Sequence, residues 1–245
     1  MGTLKDCVAL VTNVKQFVGL ASALALSEYG AKVICTDESF NTESMIKKFA
    51  LQHPKLLPTN DNDIKKLSNN IIEKYGQIDL LVSNDAFPAI RKKIEDFSKE
   101  ELKEGLEALV GRPFSLISSV VPYMKEKKCG KIIMITSAAP LRGLPNYSVY
   151  ATARGAANAL TRSLSRELAP YNINVNAIAP NYIESPSYFP SEIMEDDKKR
   201  EKILRNIPLG RLGKPEEVGK IVSFLASDGG NFITGQIIPV DGGWS

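Results

Sequence analysis

The sequence predicts an α/β fold with one doubly wound parallel sheet and helices on both faces of that sheet. Apolar runs alternate with helical patterns along the whole chain, which is typical of parallel strands joined by crossover helices. The runs are short and continuously apolar, as in residues 130–136, which favours buried strands. A chain of 245 residues suits one large domain, so we expect residues 1–245 to form a single domain.

The same patterns place the individual elements. We expect strands over residues 7–12, 32–36, 55–57, 79–83, 130–136, 173–178 and 236–240. We expect helices over residues 19–29, 43–50, 63–75 and 215–225, the last with Pro215 at its start. Ser98 and Glu101 form a capping box that predicts a long helix toward Lys127. Pro113 should kink or interrupt that helix.

Residues 181–206 break the alternation of strands and helices. The segment is polar, contains prolines and carries aromatic side chains at Tyr182, Tyr188 and Phe189. Long connections before a new periodic helix are usually functional. We therefore expect an active-site lid over residues 181–206.

Composition excludes several classes of partner. The net charge is +3 with 24% charged residues, and the basic residues are scattered, so we expect no nucleic-acid partner. We expect no membrane partner, because no apolar run is long enough to span a bilayer. The N-terminus leads directly into a predicted strand without a signal peptide, so a cytoplasmic location is expected.

Cysteine and histidine usage argues against a metal site. The three cysteines, Cys7, Cys35 and Cys129, have no metal-ligand spacing, and Cys7 and Cys35 lie in apolar runs where a buried thiol is expected. His53 is the single histidine, which disfavours a Ser-His-Asp triad. We expect no metal.

The most informative residues are Ser137, Tyr150 and Arg154. Ser137 follows the apolar run 130–136, at the end of a predicted strand. Tyr150 opens a helix rich in small residues, so that Tyr150 and Arg154, at positions i and i+4, point the same way. A strand-end hydroxyl can then meet a phenol beside a permanent cation. This arrangement predicts an acid–base site that needs no histidine.

This pattern resembles the short-chain dehydrogenase/reductase superfamily, and the resemblance implies a Rossmann-like fold. Residues 80–86, Leu-Leu-Val-Ser-Asn-Asp-Ala, occupy the place of its Leu-Val-Asn-Asn-Ala-Gly strand end, and residues 208–218 and 233–243 match its C-terminal third. The serine and the Tyr-x3-basic pair match its catalytic arrangement, although Arg154 replaces the usual lysine. Leu109 stands where many reductases have an asparagine.

The loop after the first predicted strand departs from this superfamily. Its reductases carry Thr-Gly-x3-Gly-x-Gly, whose glycines let the backbone approach the cofactor pyrophosphate. Here Asn13 and Phe17 replace two of the three glycines, and a phenylalanine ring obstructs the phosphate site. Asp37 stands where a ribose-binding acid would lie but also suits a turn or cap. We therefore expect no cofactor.

The combination Thr-x4-Phe-x-Gly and Ser-x12-Tyr-x3-Arg resembles the halohydrin (haloalcohol) dehalogenases. Thr12, Phe17 and Gly19 fit the first motif, and Ser137, Tyr150 and Arg154 fit the second. The resemblance implies cofactor-independent conversion of vicinal haloalcohols into epoxides, halide and a proton, and epoxide opening by small anions in reverse. It implies Ser137, Tyr150 and Arg154 as catalytic residues and a homotetramer as the assembly.

The same resemblance places a halide pocket where the nicotinamide would lie. Its expected residues are Phe17, Pro180, Asn181, Tyr182 and Ile183, with backbone N–H groups of residues 181–183 as donors. The candidates for the substrate pocket are Asp85, Phe87, Pro88, Ala139, Leu144, Tyr188 and Phe189, each of which could equally serve as packing. Asp85 is either coupled to Arg154 during halide release or part of an ordinary loop hydrogen bond.

Two other classes of function remain open from the sequence. The first is an NAD(P)-dependent short-chain oxidoreductase that tolerates a degenerate cofactor loop. The second is a non-catalytic relative that binds a ligand or a partner, which the presence of both Ser137 and Tyr150 disfavours.

Overall fold

Seven parallel strands form one sheet in the order β3-β2-β1-β4-β5-β6-β7. The computed structural model describes residues 3–61 and 63–245. The strands are β1 (Val8–Val11), β2 (Lys32–Thr36), β3 (Leu56–Thr59), β4 (Leu80–Ser83), β5 (Gly130–Ile135), β6 (Ile173–Pro180) and β7 (Ile237–Val240). The strands β2 and β3 lie on one side of β1, and the strands β4 to β7 lie on the other. The order therefore reverses between β1 and β4, as in a doubly wound sheet.

Helices connect successive strands. They are α1 (Gly19–Glu28), α2 (Glu43–Gln52), α3 (Ile64–Tyr75), α4 (Lys99–Leu106), α5 (Arg112–Lys127), α6 (Ala139–Arg142), α7 (Ser148–Leu168), α8 (Ser191–Met194), α9 (Asp197–Leu204) and α10 (Pro215–Ala226). The predicted α/β class is therefore confirmed. All seven predicted strands are present, including the weakest, which forms β3.

The core has two layers because every central strand is buried on both faces. On β1, Ala9 and Val11 face the layer that includes α1 and α10, whereas Val8 and Leu10 face the layer that includes α3, α5 and α7. The strand therefore shows no alternation of polar and apolar residues, as expected for a parallel sheet. Burial on both sides fixes where each strand ends, and thereby positions the loops at its carboxyl end.

The long helix predicted from Ser98 is present but changes its geometry in the middle. Ser98 caps α4 by accepting from the Glu101 N–H, while the Glu101 carboxylate accepts from the Ser98 N–H. A π-helical stretch at Glu107–Gly111 then joins α4 to α5. Pro113, which has no N–H to donate, lies at the start of α5. The helix therefore accommodates Pro113 through a wider turn rather than a break.

The lid segment, residues 181–206, contains the short helices α8 and α9. The sequence did not predict these helices or α6, because each is too short to show a helical repeat. The role of the segment as a lid stays a prediction. No helix among the described residues is long and apolar enough to cross a membrane.

The cysteines lie where their surroundings keep two of them unreactive. Cys35 is buried and Cys7 is partly buried, and burial is the main cause that raises the pKa of each thiol to about 12. Cys129 is exposed. A protonated, buried thiol behaves as a small apolar side chain.

Gly219 on α10 lets that helix approach α1 closely. A Cβ atom at Gly219 would lie 2.6 Å from the Ala21 carbonyl oxygen, so Gly219→Ala must push the two helices apart. We expect the free energy of unfolding to fall by roughly 1–3 kcal/mol. Gly155→Ala on α7 is the matched control, because its Cβ would lie 3.5 Å from Pro140. Chemical denaturation of both variants tests the contact, and equal stabilities would contradict it.

Candidate active site

A cavity of about 470 Å³ lies at the carboxyl ends of the strands. Its wall combines Phe17 from the loop after β1, Thr136 and Ser137 after β5, residues 180–183 at the end of β6, and Tyr150 and Arg154 from α7. In parallel sheets, ligands bind at this edge because the strand ends and helix starts converge there. The cavity is therefore the candidate active site.

The structure brings Ser137, Tyr150 and Arg154 together in this wall, as the sequence predicted. Ser137 is 5% exposed and follows β5, and its Oγ accepts a hydrogen bond from the Ala139 N–H at 3.1 Å. This bond fixes the oxygen and leaves the hydroxyl proton for a ligand. Arg154 lies one turn after Tyr150 on α7, and its Nε donates to the Tyr150 hydroxyl at 3.3 Å.

Arg154 is buried, with 3% of its surface exposed, and hydrogen bonds hold its guanidinium in place. Its Nη1 donates to the Ile135 carbonyl at 3.0 Å, and its Nη2 donates to the Asp85 carbonyl at 2.9 Å. The planar guanidinium can make these bonds and still contact the phenol, because its donors form a fixed fork. Neutral carbonyls do not cancel its charge. The Tyr150 oxygen therefore faces a fixed positive charge.

The charge balance of the cavity suits an anion. Among the described residues that line it, Arg154 carries a positive charge and none is an aspartate or a glutamate. Apolar and aromatic side chains make up much of the remaining wall. A charge in such a partly water-free site is less screened than in water, so an anion near Arg154 gains more from the attraction.

The loop after β1 retains the backbone conformation of a glycine loop but carries side chains. Asn13 and Phe17 have positive φ angles, +46° and +47°. Glycine adopts such angles without cost, whereas a bulky residue is strained there. The Phe17 ring lines the cavity and meets the Tyr188 ring edge-on, with centroids 5.6 Å apart. An aromatic ring therefore occupies a position where a dinucleotide needs bare backbone.

Internal hydrogen bonds hold this loop closed. The Asn84 amide donates to the carbonyls of Asn13 and Gln16 at 3.0 and 2.9 Å. The buried Asp37 carboxylate accepts from the Lys15 N–H and from the N–H and hydroxyl of Ser39. Asp37 thus acts as the turn residue that the sequence allowed as one alternative. The residues present at this loop do not fit the pyrophosphate and ribose of a dinucleotide.

The loop after β6 offers fewer anion donors than the sequence predicted. The Asn181 N–H donates to the Val240 carbonyl at 3.1 Å, so it extends the sheet, and the Tyr182 N–H donates to the Asn181 side chain at 3.0 Å. The Ile183 N–H has no acceptor among the described residues. Tyr182 adopts a positive φ of +52°, which turns the chain at this point. Ile183 is therefore the backbone donor that remains for a ligand.

Asp85 is not among the residues that line the cavity. Its carboxylate accepts a hydrogen bond from the Ser83 hydroxyl at 2.5 Å, and its backbone carbonyl binds Arg154. Burial raises the pKa of Asp85, although the Ser83 hydrogen bond and the attraction to Arg154 oppose this rise. Asp85 therefore makes a loop hydrogen bond with Ser83 and also interacts electrostatically with Arg154.

The predicted substrate residues divide into two groups. Ala139, Leu144, Tyr188 and Phe189 line the cavity. Phe87 instead lies near Gly105 of α4, and Pro88 is exposed. Phe87 and Pro88 are therefore not among the wall residues, although Ala89 of the same loop lines the cavity. Substrate contact by any of these residues stays a prediction.

Sequence reasoning missed several residues of the wall, most notably Trp244. Trp244 is the single tryptophan of the chain, and its ring meets Tyr182 edge-on at 5.8 Å. The Arg142 guanidinium lies 5.0 Å from the Trp244 ring and donates to the Trp244 carbonyl. No local pattern could place Trp244 here, because the position depends on how the chain leaves β7. The other missed wall residues are Ala89, Thr136, Tyr147 and Ser187.

The described residues show no grouping that suits a metal ion. Within residues 3–61 and 63–245, no three or more His, Cys, Asp or Glu side chains are arranged to bind one. The polar groups that the cavity wall presents are hydroxyls, a guanidinium, an amide and backbone groups.

The chain is similar to known proteins in both sequence and structure. Residues 14–245 match the family model described as enoyl-(acyl carrier protein) reductase. A 3-oxoacyl-[acyl-carrier-protein] reductase from Thermotoga maritima is 36% identical, with 98% of each chain covered. The human dehydrogenase/reductase SDR family member 4 is 32% identical, with 98% of this chain and 88% of the relative covered.

Two solved structures share both the fold and more of the sequence. One, described as a dehalogenation enzyme, is 40% identical with a TM-score of 0.95, and 99% of each chain is covered. The other is a halohydrin dehalogenase bound to ethyl (2S)-oxiran-2-ylacetate, with 41% identity, a TM-score of 0.92 and 96% of each chain covered. The chain therefore belongs to the short-chain dehydrogenase/reductase superfamily and, within it, to the halohydrin dehalogenase family.

Proposed function

We propose that this protein converts vicinal haloalcohols into epoxides, halide and a proton without a redox cofactor. The observation that carries the proposal is the contact between Arg154 and the Tyr150 hydroxyl. Both residues line a cavity together with Ser137 and with Phe17 from the loop after β1. The 41% identical halohydrin dehalogenase holds an epoxide, which supports a small-molecule substrate of this class.

The reaction is an internal displacement on the substrate. The Ser137 hydroxyl donates to the substrate hydroxyl oxygen and orients its proton toward Tyr150. The Tyr150 phenolate, stabilised by the Arg154 cation, takes this proton. The substrate oxygen then forms a bond to the neighbouring carbon as the carbon–halogen bond breaks, and the halide leaves with the electron pair. No bond to the protein forms.

The halide pocket lies on the side of the cavity formed by Phe17 and residues 180–183. The Ile183 N–H, which has no other acceptor among the described residues, is the donor for the departing anion. A preorganised donor aimed at developing charge lowers the barrier, because it needs no rearrangement during the reaction. The aromatic rings of Phe17 and Tyr182 exclude water from the same volume.

The reverse reaction uses the same groups. An anion in the halide pocket attacks the epoxide carbon while Tyr150 returns a proton to the ring oxygen. Azide, cyanide and nitrite are the nucleophiles that the resemblance to the halohydrin dehalogenases implies. Asp85 is expected to assist release of the halide through its electrostatic interaction with Arg154. The expected assembly is a homotetramer.

An NAD(P)-dependent oxidoreductase is the second candidate, favoured by the reductase names of the curated relatives. The two candidates differ in whether turnover requires a nicotinamide nucleotide. Halide release without added nucleotide supports the dehalogenase, whereas tight NAD(H) or NADP(H) binding with nucleotide-dependent turnover supports the oxidoreductase. The strained Phe17 in the glycine-loop position favours the first candidate.

Tyr150→Phe should reduce halide release from 1,3-dichloro-2-propanol by roughly 10²- to 10⁴-fold, because it removes the general base and keeps the ring. Released chloride and protons give the rate directly. Tyr123→Phe is the matched control, since the Tyr123 hydroxyl bonds to Asn69 outside the site. Full turnover by the Tyr150→Phe protein would eliminate Tyr150 as the base.

Phe17→Gly should weaken bromide binding by about tenfold, which corresponds to about 1.4 kcal/mol. The substitution relieves the strained backbone but removes the ring that excludes water from the anion pocket. Phe17→Leu keeps an apolar side chain and should retain most of the affinity. Fluorescence of Trp244, the single tryptophan and a wall residue, reports the occupancy of the cavity. Equal bromide affinity in the unsubstituted protein and the Phe17→Gly variant would show that the Phe17 ring does not contribute to halide binding.

A further inference from the structure

One part of the cavity wall is an indole that comes from a segment remote in sequence from Ser137. Trp244 lies in residues 241–245, which follow β7. The residue is 6% exposed and packs with the buried Ala138, the neighbour of Ser137. The Tyr182 ring meets the indole edge-on at 5.8 Å and 69°. The indole therefore takes up space beside the serine that we propose as catalytic.

Asp241 fixes the backbone of the segment that carries this indole. Its buried carboxylate accepts from the N–H groups of Gly243 at 2.9 Å, Trp244 at 3.2 Å and Ser245 at 2.9 Å. Gly242 and Gly243 have positive φ angles of +66° and +88°, which glycine adopts without cost in such a tight turn. These bonds hold the N–H groups of the turn, but they hold neither the Trp244 carbonyl nor the indole.

Arg142 supplies both of these remaining contacts. Its Nη1 donates to the Trp244 carbonyl at 2.7 Å. Its guanidinium carbon lies 5.0 Å from the centroid of the indole, a distance at which a cation is attracted to an aromatic face, most strongly to that of tryptophan. Among the described residues, no carboxylate forms an ion pair with Arg142. The guanidinium is therefore committed to Trp244.

Arg142 reaches Trp244 from α6, the short helix that follows Ser137. The Ala139 N–H at the start of α6 donates to the Ser137 Oγ at 3.1 Å, and Arg142 ends the same helix. Arg142 is otherwise exposed, so its removal need not disturb the core. One turn of helix thus connects the proposed catalytic serine to the segment that carries Trp244.

We propose that Arg142 is a positioning residue that holds the Trp244 indole in the cavity wall and thereby limits the size of the substituent that a substrate can carry. The limit on substrates rests on the proposed dehalogenation, whereas the contact itself does not depend on any activity. An indole that Arg142 no longer holds can turn away from the wall, and the space beside Ser137 then admits a larger group. Without Arg142, the protein should therefore accept aryl-substituted haloalcohols better.

Fluorescence quenching tests the contact without any substrate, because Trp244 is the single tryptophan of the chain. In Arg142→Ala, we expect acrylamide to quench the emission more strongly, since the indole loses a restraint and becomes more accessible. Lys125→Ala is the matched control, because the Lys125 ammonium lies 4.7 Å from the Tyr171 ring, which is not part of the cavity wall. This control should be quenched like the unsubstituted protein. Equal quenching in Arg142→Ala and the unsubstituted protein would overturn the inference.

The substrate preference gives a second readout. In Arg142→Ala, the ratio of kcat/KM for 2-chloro-1-phenylethanol to kcat/KM for 1,3-dichloro-2-propanol should rise roughly tenfold, the order by which an apolar pocket discriminates between substituents. Trp244→Ala should raise this ratio at least as far. The double variant Arg142→Ala/Trp244→Ala should match Trp244→Ala alone, because Arg142 acts through the indole.

An unchanged ratio in Arg142→Ala would contradict the inference, and so would a further rise when Arg142→Ala is added to Trp244→Ala. Stronger quenching in Arg142→Ala, combined with a complete absence of halide release from the unsubstituted protein, would uphold Arg142 as the residue that positions Trp244 and would refute the proposed function.

Discussion

The contact between the buried Arg154 guanidinium and the Tyr150 hydroxyl organises the whole site. A phenol is a weak base at neutral pH, so the proposed chemistry needs a fixed positive charge close to its oxygen. The structure supplies this charge from the same helix, one turn away, and anchors it on the carbonyl that ends β5 and on a carbonyl just after β4. The sheet therefore positions the cation beside the phenol that we propose as the base.

The described residues of the cavity wall include no aspartate or glutamate. The proposed chemistry agrees with this composition, because an acidic side chain there would compete with the proposed phenolate and halide for Arg154. The carboxylate of Asp85 is turned away toward Ser83, and burial raises its pKa. The wall also carries aromatic rings, and the Ile183 N–H has no acceptor among the described residues. These are the groups that we propose to favour a small anion over water.

Phe17 shows how a loop can adopt the backbone angles of glycine while it carries side chains. The positive φ angles of Asn13 and Phe17 are those that glycines adopt without cost, and here the chain adopts them with side chains present. Such strain is retained only where the surroundings impose it. Asn84 and Asp37 impose it here through hydrogen bonds to the loop backbone. The Phe17 ring packs against Tyr188 and lines the cavity.

The sequence predicted the fold and the grouping of Ser137, Tyr150 and Arg154 because both depend on local patterns. The spacing of Ser137, Tyr150 and Arg154 predicts a strand end facing one side of a helix, and the structure has this arrangement. Trp244 could not be predicted, since its place depends on packing across the sheet. The use of the Asn181 and Tyr182 N–H groups by other acceptors was also missed, because the geometry of that loop depends on its pairing with β7.

The most direct test of the account is a crystal structure with bromide, whose anomalous signal locates the ion. The account predicts a single bromide in the cavity, close to the Ile183 N–H and the Phe17 ring. A cavity that stays free of bromide but binds a nicotinamide nucleotide beside Tyr150 would contradict it.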